Sequence, residues 1–249
     1  MKPTGEGDFT DRVVLVTGAG GGLGAAVAHA LGVRGATVVL LGRRVPALEA
    51  LYDRILADGG AQPAIYPLNL EGATPKDYAD LADAVADRLG RLDALVHLAA
   101  TAQAPCPIVD HDPLAWQRVL HVNLTAPFLL SQACLELLRR APDGRLLFTT
   151  HRLDKAYWGA YAVSKAGLER LAAVLADELD VAPRVAVNVI EPGPVASPMM
   201  QRLFPGMAPE ELRPVEEAVR GVLWALGPEA AGLSGRLIPA LAPQDHRPL

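Results

Sequence analysis

A short apolar run, a glycine-rich turn and an alanine-rich segment follow one another without a break near the start of this chain. No other feature limits its fold as much. Val13–Val16 reads as a buried strand and passes directly into Thr17-Gly18-Ala19-Gly20-Gly21-Gly22-Leu23-Gly24, after which Gly24–Val33 has the period of a helix. Glycines let a backbone turn sharply and approach a ligand closely, and the free N–H groups of a helix N-terminus attract an anion. A glycine-rich turn by itself can be a flexible connection that binds nothing. Between the first strand and first helix of a βαβ unit, it points to a dinucleotide pyrophosphate. Gly18, Gly22 and Gly24 fit a G-x-x-x-G-x-G spacing, while Gly20, Gly22 and Ala25 fit the commoner G-x-G-x-x-G/A. The loop alone therefore leaves the family open.

The rest of the chain repeats the same alternation. Thr37–Leu41, Ala64–Pro67, Ala94–Leu98, Arg145–Phe148 and Val185–Ile190 read as further buried strands, and Arg236–Ile238 as a seventh. Ala47–Ala57, Tyr78–Leu89, Trp116–Arg139, Tyr161–Leu179 and Glu216–Leu226 have helical period. Strand and helix in alternation predict an α/β fold: a Rossmann-type doubly wound parallel β-sheet of six to seven strands, with helices on both faces. No linker or repeat divides the 249 residues, so one domain is expected, its core from about 12 to 240. The proline-rich stretch Pro192–Pro214 reads as an insertion between a strand and a helix.

Composition removes several classes of function. A formal charge of −5 speaks against nucleic acid and anionic membrane as partners. No apolar run has the length of a membrane span, and the polar segment Met1–Arg12 resembles neither a signal nor a transit peptide. Cys106 and Cys134 form neither a metal-ligand pattern nor a disulfide framework, so the expected compartment is the reducing cytoplasm and no metal is expected.

Two regions carry chemistry. An NAD-specific site places Asp or Glu about 20 residues beyond the glycines, to hold the adenosine ribose. Here the second strand ends Leu41-Gly42-Arg43-Arg44. With no carboxylate, Arg43 stands where a guanidinium can hold the 2′-phosphate, which favours NADP(H) over NAD(H). The alternative is that Arg43 and Arg44 are solvated residues opening a helix. Further on, Tyr161-Ala-Val-Ser-Lys165 opens a long helix, and the i,i+4 spacing puts phenol and ammonium on one face. A tyrosine acts as a base near neutrality only if its pKa falls several units, which a neighbouring Lys⁺ and a charged nicotinamide favour.

Together, the Thr17–Gly24 loop, Asn123 within His121-Val-Asn123, Tyr161 with Lys165, and Pro192-Gly193 after the sixth strand resemble the short-chain dehydrogenase/reductase pattern, in the right order. The resemblance implies hydride transfer between nicotinamide and a carbonyl or alcohol carbon. It implies that Tyr161 exchanges the hydroxyl proton, Lys165 lowers its pKa and binds the nicotinamide ribose, and Asn123 holds a water mid-helix. It further implies that Pro192, Gly193 and Val195 lie along the nicotinamide, that Asn69 and Leu70 face the adenine, and that Ala99 and Ala100 border the ribose. A homodimer or homotetramer formed through the two long helices is also implied.

The pattern is broken in places. The family's serine after the fifth strand is missing, since Phe148 is followed by Thr149-Thr150-His151-Arg152 and no serine lies between Ser131 and Ser164. Aligned on the strand, His151 takes the serine position with Thr150 beside it, and the loop to Tyr161 is shortened. His151 can donate to a carbonyl, Thr150 can supply a hydroxyl, or the function is lost. After the fourth strand, His97-Leu98-Ala99-Ala100 replaces N-N-A-G. His97 reads as a packed strand-end histidine rather than a ligand, and a Cβ on Ala100 presses toward the ribose. Asn69 stands in place of an aspartate. The lid segment, about 196–214, carries Met199, Met200, Leu203, Phe204 and Met207. These suit a hydrophobic small-molecule substrate or, equally, packing on the core or on a neighbouring subunit. Two functions remain: an NADP(H)-dependent oxidoreductase, or an NADP-binding sensor or scaffold with weak or no turnover.

Overall fold

The computed structural model describes residues 9–153, 155–182, 184–204, 206–208 and 211–249. Most of the polar N-terminal stretch and Pro205, Pro209 and Glu210 of the lid lie outside the described residues. One eight-stranded sheet, ordered β3-β2-β1-β4-β5-β6-β7-β8, runs through the molecule. Its strands are β1 (Val13–Thr17), β2 (Thr37–Gly42), β3 (Ala64–Pro67), β4 (Ala94–His97), β5 (Gly144–Thr149), β6 (Val185–Glu191), β7 (Arg236–Pro239) and β8 (Arg247–Pro248). The first seven pair in parallel, while β8 pairs antiparallel with β7 through Arg236–Pro248 and Leu237–Arg247. This eighth strand corrects the expectation of six or seven, because two residues, one of them proline, carry no detectable period.

The helices are α1 (Gly22–Gly32), α2 (Val45–Ala57), α3 (Pro75–Leu89), α4 (Pro113–Leu120), α5 (Ala126–Arg140), α6 (Gly159–Glu178), α7 (Pro198–Leu203) and α8 (Val215–Leu226). They divide between the two faces. One core joins Leu15, Leu95, Leu146 and Val187 to α3, α5 and α6. The other joins Val14, Val38, Leu147 and Ile190 to α1, α2 and α8. All five residues of β1 are buried, as a strand covered on both faces requires.

Capping sets several helix starts. Thr74 and Asp77 form a capping box at α3, and Asp112 accepts from the amides of Leu114 and Ala115 at α4, each cap contributing about 1 kcal/mol. The segment read as one helix, Trp116–Arg139, starts earlier and holds an interruption. Between α4 and α5, residues His121–Thr125 form a π-turn in which the Ala126 N–H reaches back to the His121 carbonyl. Pro127 supplies a physical reason, since it has no N–H to give the carbonyl of Asn123.

At the N-terminal edge of the sheet, buried charges are satisfied. Asp93 accepts from the Val13 amide at 2.8 Å and from Arg91 at 2.9 and 2.6 Å. Arg145 donates to Asp143 and to the Ala225 carbonyl. The C-terminal edge is open. There the strand order reverses between β1 and β4, and such a crevice is where doubly wound sheets take their ligands. Among the described residues, no helix is long and apolar enough to cross a membrane.

Candidate active site

The loops leaving the C-terminal ends of β1 to β6 enclose a cleft of about 870 Å³. Its floor is the first loop. Gly18 has a φ of +71°, and a Cβ there would meet the Cα and N of Ala99 at 2.9 Å. A Cβ on Gly24 would collide with the Gly18 carbonyl. The glycines therefore allow the β1–α1 turn to lie against both its own helix and the loop after β4. Gly18, Gly20, Gly22, Leu23 and Gly24 all line the cleft.

At one end stand Arg43, Arg44, Asn69, Leu70 and Glu71. The Arg43 side chain is 68 % exposed and lies 3.9 Å from Glu71, which also pairs with Arg118 at 2.8 Å. Arg44 folds back and donates to the carbonyl of Gly20. The Asn69 side-chain oxygen already accepts from the Glu71 amide at 3.3 Å.

At the other end stand Ala99, Ala100, Thr149, Thr150, His151, Tyr161, Lys165, Pro192, Gly193 and Val195. Tyr161 and Lys165 are both buried and share one face of α6, with Nζ 5.7 Å from the phenol ring centre. Lys165 donates to the Thr149 carbonyl at 2.9 Å. Burial pushes the phenol above its ordinary pKa and pulls the ammonium down to about 8. The expected lowering of the tyrosine pKa is thus not present in the protein alone. His151 meets Tyr161 edge-on at 6.0 Å between ring centres, and burial, helped by Lys165, lowers its pKa to about 4. The imidazole is neutral at pH 7, with one N–H. The Thr150 hydroxyl donates to Glu169 at 2.6 Å. The hydroxyl of Thr149 is buried and has no hydrogen-bond partner.

Two predicted residues stand behind the wall rather than on it. Thr17 is buried, and its hydroxyl oxygen accepts from the amides of Leu98 and Ala99, both at 3.0 Å. Asn123 accepts from the Thr101 amide and donates to the Thr101 carbonyl, both at 2.8 Å, and donates to Ser164 Oγ at 3.0 Å. It thereby fixes the loop after β4 against α6. His97 is the packed residue expected, bonded to Ser131 at 3.0 Å and stacked on Phe148 at 4.9 Å. In the lid, Met199, Met200 and Leu203 line the cleft, while Phe204 stacks on Trp158 at 4.6 Å.

Sequence reasoning passed over Thr149, Glu71 and Ser197 as site residues, although all three line the cleft. Thr149 carried a signal, as the last strand residue before the motif. Glu71 carried none, because its position follows only from the turn at Asn69. Among the described residues, no cluster of His, Cys, Asp or Glu is arranged to hold a metal.

Comparison with known proteins fits this geometry. Residues 12–208 match the short chain dehydrogenase family. YciK, an oxidoreductase of Escherichia coli strain K12, is 37 % identical over 222 residues, covering 88 % of this chain and 87 % of that one. A short chain dehydrogenase of Escherichia coli CFT073, solved with NADPH, superposes with a TM-score of 0.90 at 37 % identity, covering 94 % of this chain and 98 % of the other. One from Shigella flexneri 2a, solved with NADP, does so with a TM-score of 0.90 at 35 % identity, covering 94 % and 99 %. The chain belongs to the short-chain dehydrogenase/reductase family and is an oxidoreductase of that family.

Proposed function

We propose that this protein is an NADP(H)-dependent oxidoreductase interconverting a carbonyl and an alcohol on a small molecule, with Tyr161 giving or taking the hydroxyl proton. The observation that carries the reading is the meeting of Tyr161, Lys165 and His151 on one wall of the cleft, opposite the glycine loop. A nicotinamide dinucleotide fits the residues present. The glycines of the Gly18–Gly24 turn line the cleft at the start of α1, where free amides suit a pyrophosphate, and the buried hydroxyl of Thr149 lacks a partner that a ligand would supply. When bound, the cofactor supplies or accepts the hydride.

Arg43, with Gly42 in place of a carboxylate, supports NADP(H) over NAD(H), and the relatives solved with NADP and NADPH point the same way. His151 donates to the carbonyl oxygen, because the Thr150 hydroxyl is committed to Glu169. Lys165 presents its positive charge beneath the phenol ring as the proton leaves. Met199, Met200 and Leu203 suit an apolar substrate body. The exposed Leu114, Phe128, Val163 and Val174 on α4, α5 and α6 support a homodimer or homotetramer through those helices, and the two free thiols support the cytoplasm.

The test is one experiment: titration with NADPH and NADH, followed by a panel of ketones, aldehydes and diketones. Tight NADPH binding with oxidation that disappears in Tyr161→Phe is expected. Tight binding without oxidation across the panel would turn the reading to a sensor or scaffold. Binding of neither nucleotide would overturn it altogether.

A further inference from the structure

We infer that Glu169 is a positioning residue whose carboxylate clamps the two neighbours of His151 and so sets the imidazole against Tyr161. The inference rests on the reading of His151 as the carbonyl donor and goes beyond it to what holds that donor in place.

Three consecutive residues leaving β5 each address a different turn of α6. The Thr149 carbonyl holds Lys165, the Thr150 hydroxyl holds Glu169, and the His151 ring faces Tyr161. Tyr161, Lys165 and Glu169 are spaced by four, so they occupy one face of the helix over about 12 Å of its axis. Glu169 closes the arrangement from the far side. One oxygen accepts from Thr150 at 2.6 Å and from Arg152 Nε at 3.3 Å, and the other accepts from Arg152 Nη2 at 2.8 Å. Thr150 is also held through its amide, which donates to the Ile190 carbonyl at 2.9 Å. The residues before and after His151 therefore both bond to one carboxylate, which restrains the backbone between them.

That carboxylate is suited to the task. Its side chain is 17 % exposed. Burial alone would raise its pKa, but hydrogen bonds from Arg152 and Thr150 outweigh this, with the charges of Arg152 and Arg247 adding to them. The group stays ionised and shielded from water, where charge-assisted bonds are strongest. The clamp also falls where this chain departs from its family, at the shortened loop with histidine in place of serine. An imidazole on a loop needs support to keep its geometry, and a displacement of about 1 Å can cost up to about 10²-fold in rate.

The experiment compares Glu169→Leu and Glu169→Gln, each alone and combined with His151→Ala, in the intact protein with NADPH and a carbonyl it reduces. Glu169→Leu is expected to lower kcat on the order of 10-fold while NADPH affinity holds within about twofold. Glu169→Gln retains an acceptor for Thr150 and is expected to recover most of the rate. In the His151→Ala background, Glu169→Leu should cost nothing further, because the group it positions is gone. An equal loss in both backgrounds, or an undiminished kcat, overturns the clamp. NMR of the histidine ring C–H signals gives a readout independent of turnover. The His151 signal, identified by its loss in His151→Ala, should move or broaden in Glu169→Leu while the other histidines hold. An unmoved signal overturns the inference even if no carbonyl proves to be a substrate, a result that would sink the functional reading separately. Should Glu169→Leu fail to fold, Thr150→Val removes one arm of the clamp and takes its place.

Discussion

Lys165 carries its Nζ 5.7 Å from the centre of the Tyr161 ring and spends one of its protons on the carbonyl of Thr149, 2.9 Å away. An ammonium with so little water around it is costly to keep charged, and its pKa falls to about 8 because of that burial. The folded protein therefore gives up this proton more readily than the unfolded chain does.

Stability should record the difference. Below pH 8 the lysine is charged in both states, and burying that charge costs stability. Between about pH 8 and the unfolded value near 10.5 only the unfolded chain stays protonated, so stability contributed by this group rises with pH. Denaturant unfolding at pH 7, 8 and 9 should show the wild type gaining on Lys165→Met across that range. A constant difference between the two would place the lysine pKa where it normally lies.

Truncation of His151 to alanine should reduce turnover by about 10²–10³-fold with NADPH affinity nearly unchanged, as loss of one oxyanion donor does. Because the imidazole titrates near pH 4, it contributes no limb to the rate profile between pH 6 and 8. A limb near pH 6.5 that vanishes in His151→Ala would contradict the neutral donor.

Arg43 and Glu71 should oppose one another in cofactor choice. Arg43→Ala is expected to weaken NADPH by about 10-fold or more, in line with 1.5–3 kcal/mol for a charge-assisted bond, and to leave NADH nearly untouched. Glu71→Gln frees the guanidinium from a carboxylate 3.9 Å away and should tighten NADPH. Fluorescence titration of both nucleotides with both variants decides the matter. Equal effects on NADH and NADPH would remove Arg43 from the 2′-phosphate.

Thr149→Val replaces a buried, unpartnered hydroxyl with a methyl group. Relieving an unmet hydrogen bond is worth about 1–3 kcal/mol, so the protein without nucleotide should melt at a higher temperature. If a ligand normally satisfies that hydroxyl, the same variant should bind NADPH less tightly. A variant that melts higher with unchanged affinity would separate Thr149 from the cofactor.

Much of the fold could be read from Val13–Val16 and its glycine loop, because a parallel strand buried on both faces leaves a nearly unbroken apolar run. That Tyr161 and Lys165 share one helix face was equally legible, since four-residue spacing is a local property of a helix. What escaped notice depends on contacts between distant segments. The β8 strand is too short to carry a pattern, and the π-turn at Asn123 arises from Pro127 acting on a helix that otherwise keeps its period. Glu71 and Glu169 look like ordinary surface acids until folding sets them beside Arg118 and Thr150. Thr17 stands at the start of the glycine loop, where its hydroxyl was expected to face a ligand, yet that hydroxyl faces the chain's own amides.

Those two bonds join the glycine loop and the chain leaving β4 at a single oxygen. Leu98 lies 81 positions beyond Thr17, yet the loop expected to take the pyrophosphate and the chain leaving β4 share this one buried support. Walls fastened in this way lose their freedom together, so ordering one of them leaves less entropy to be lost by the other. A dinucleotide should then gain more from such a cleft than its two nucleotide halves would gain separately.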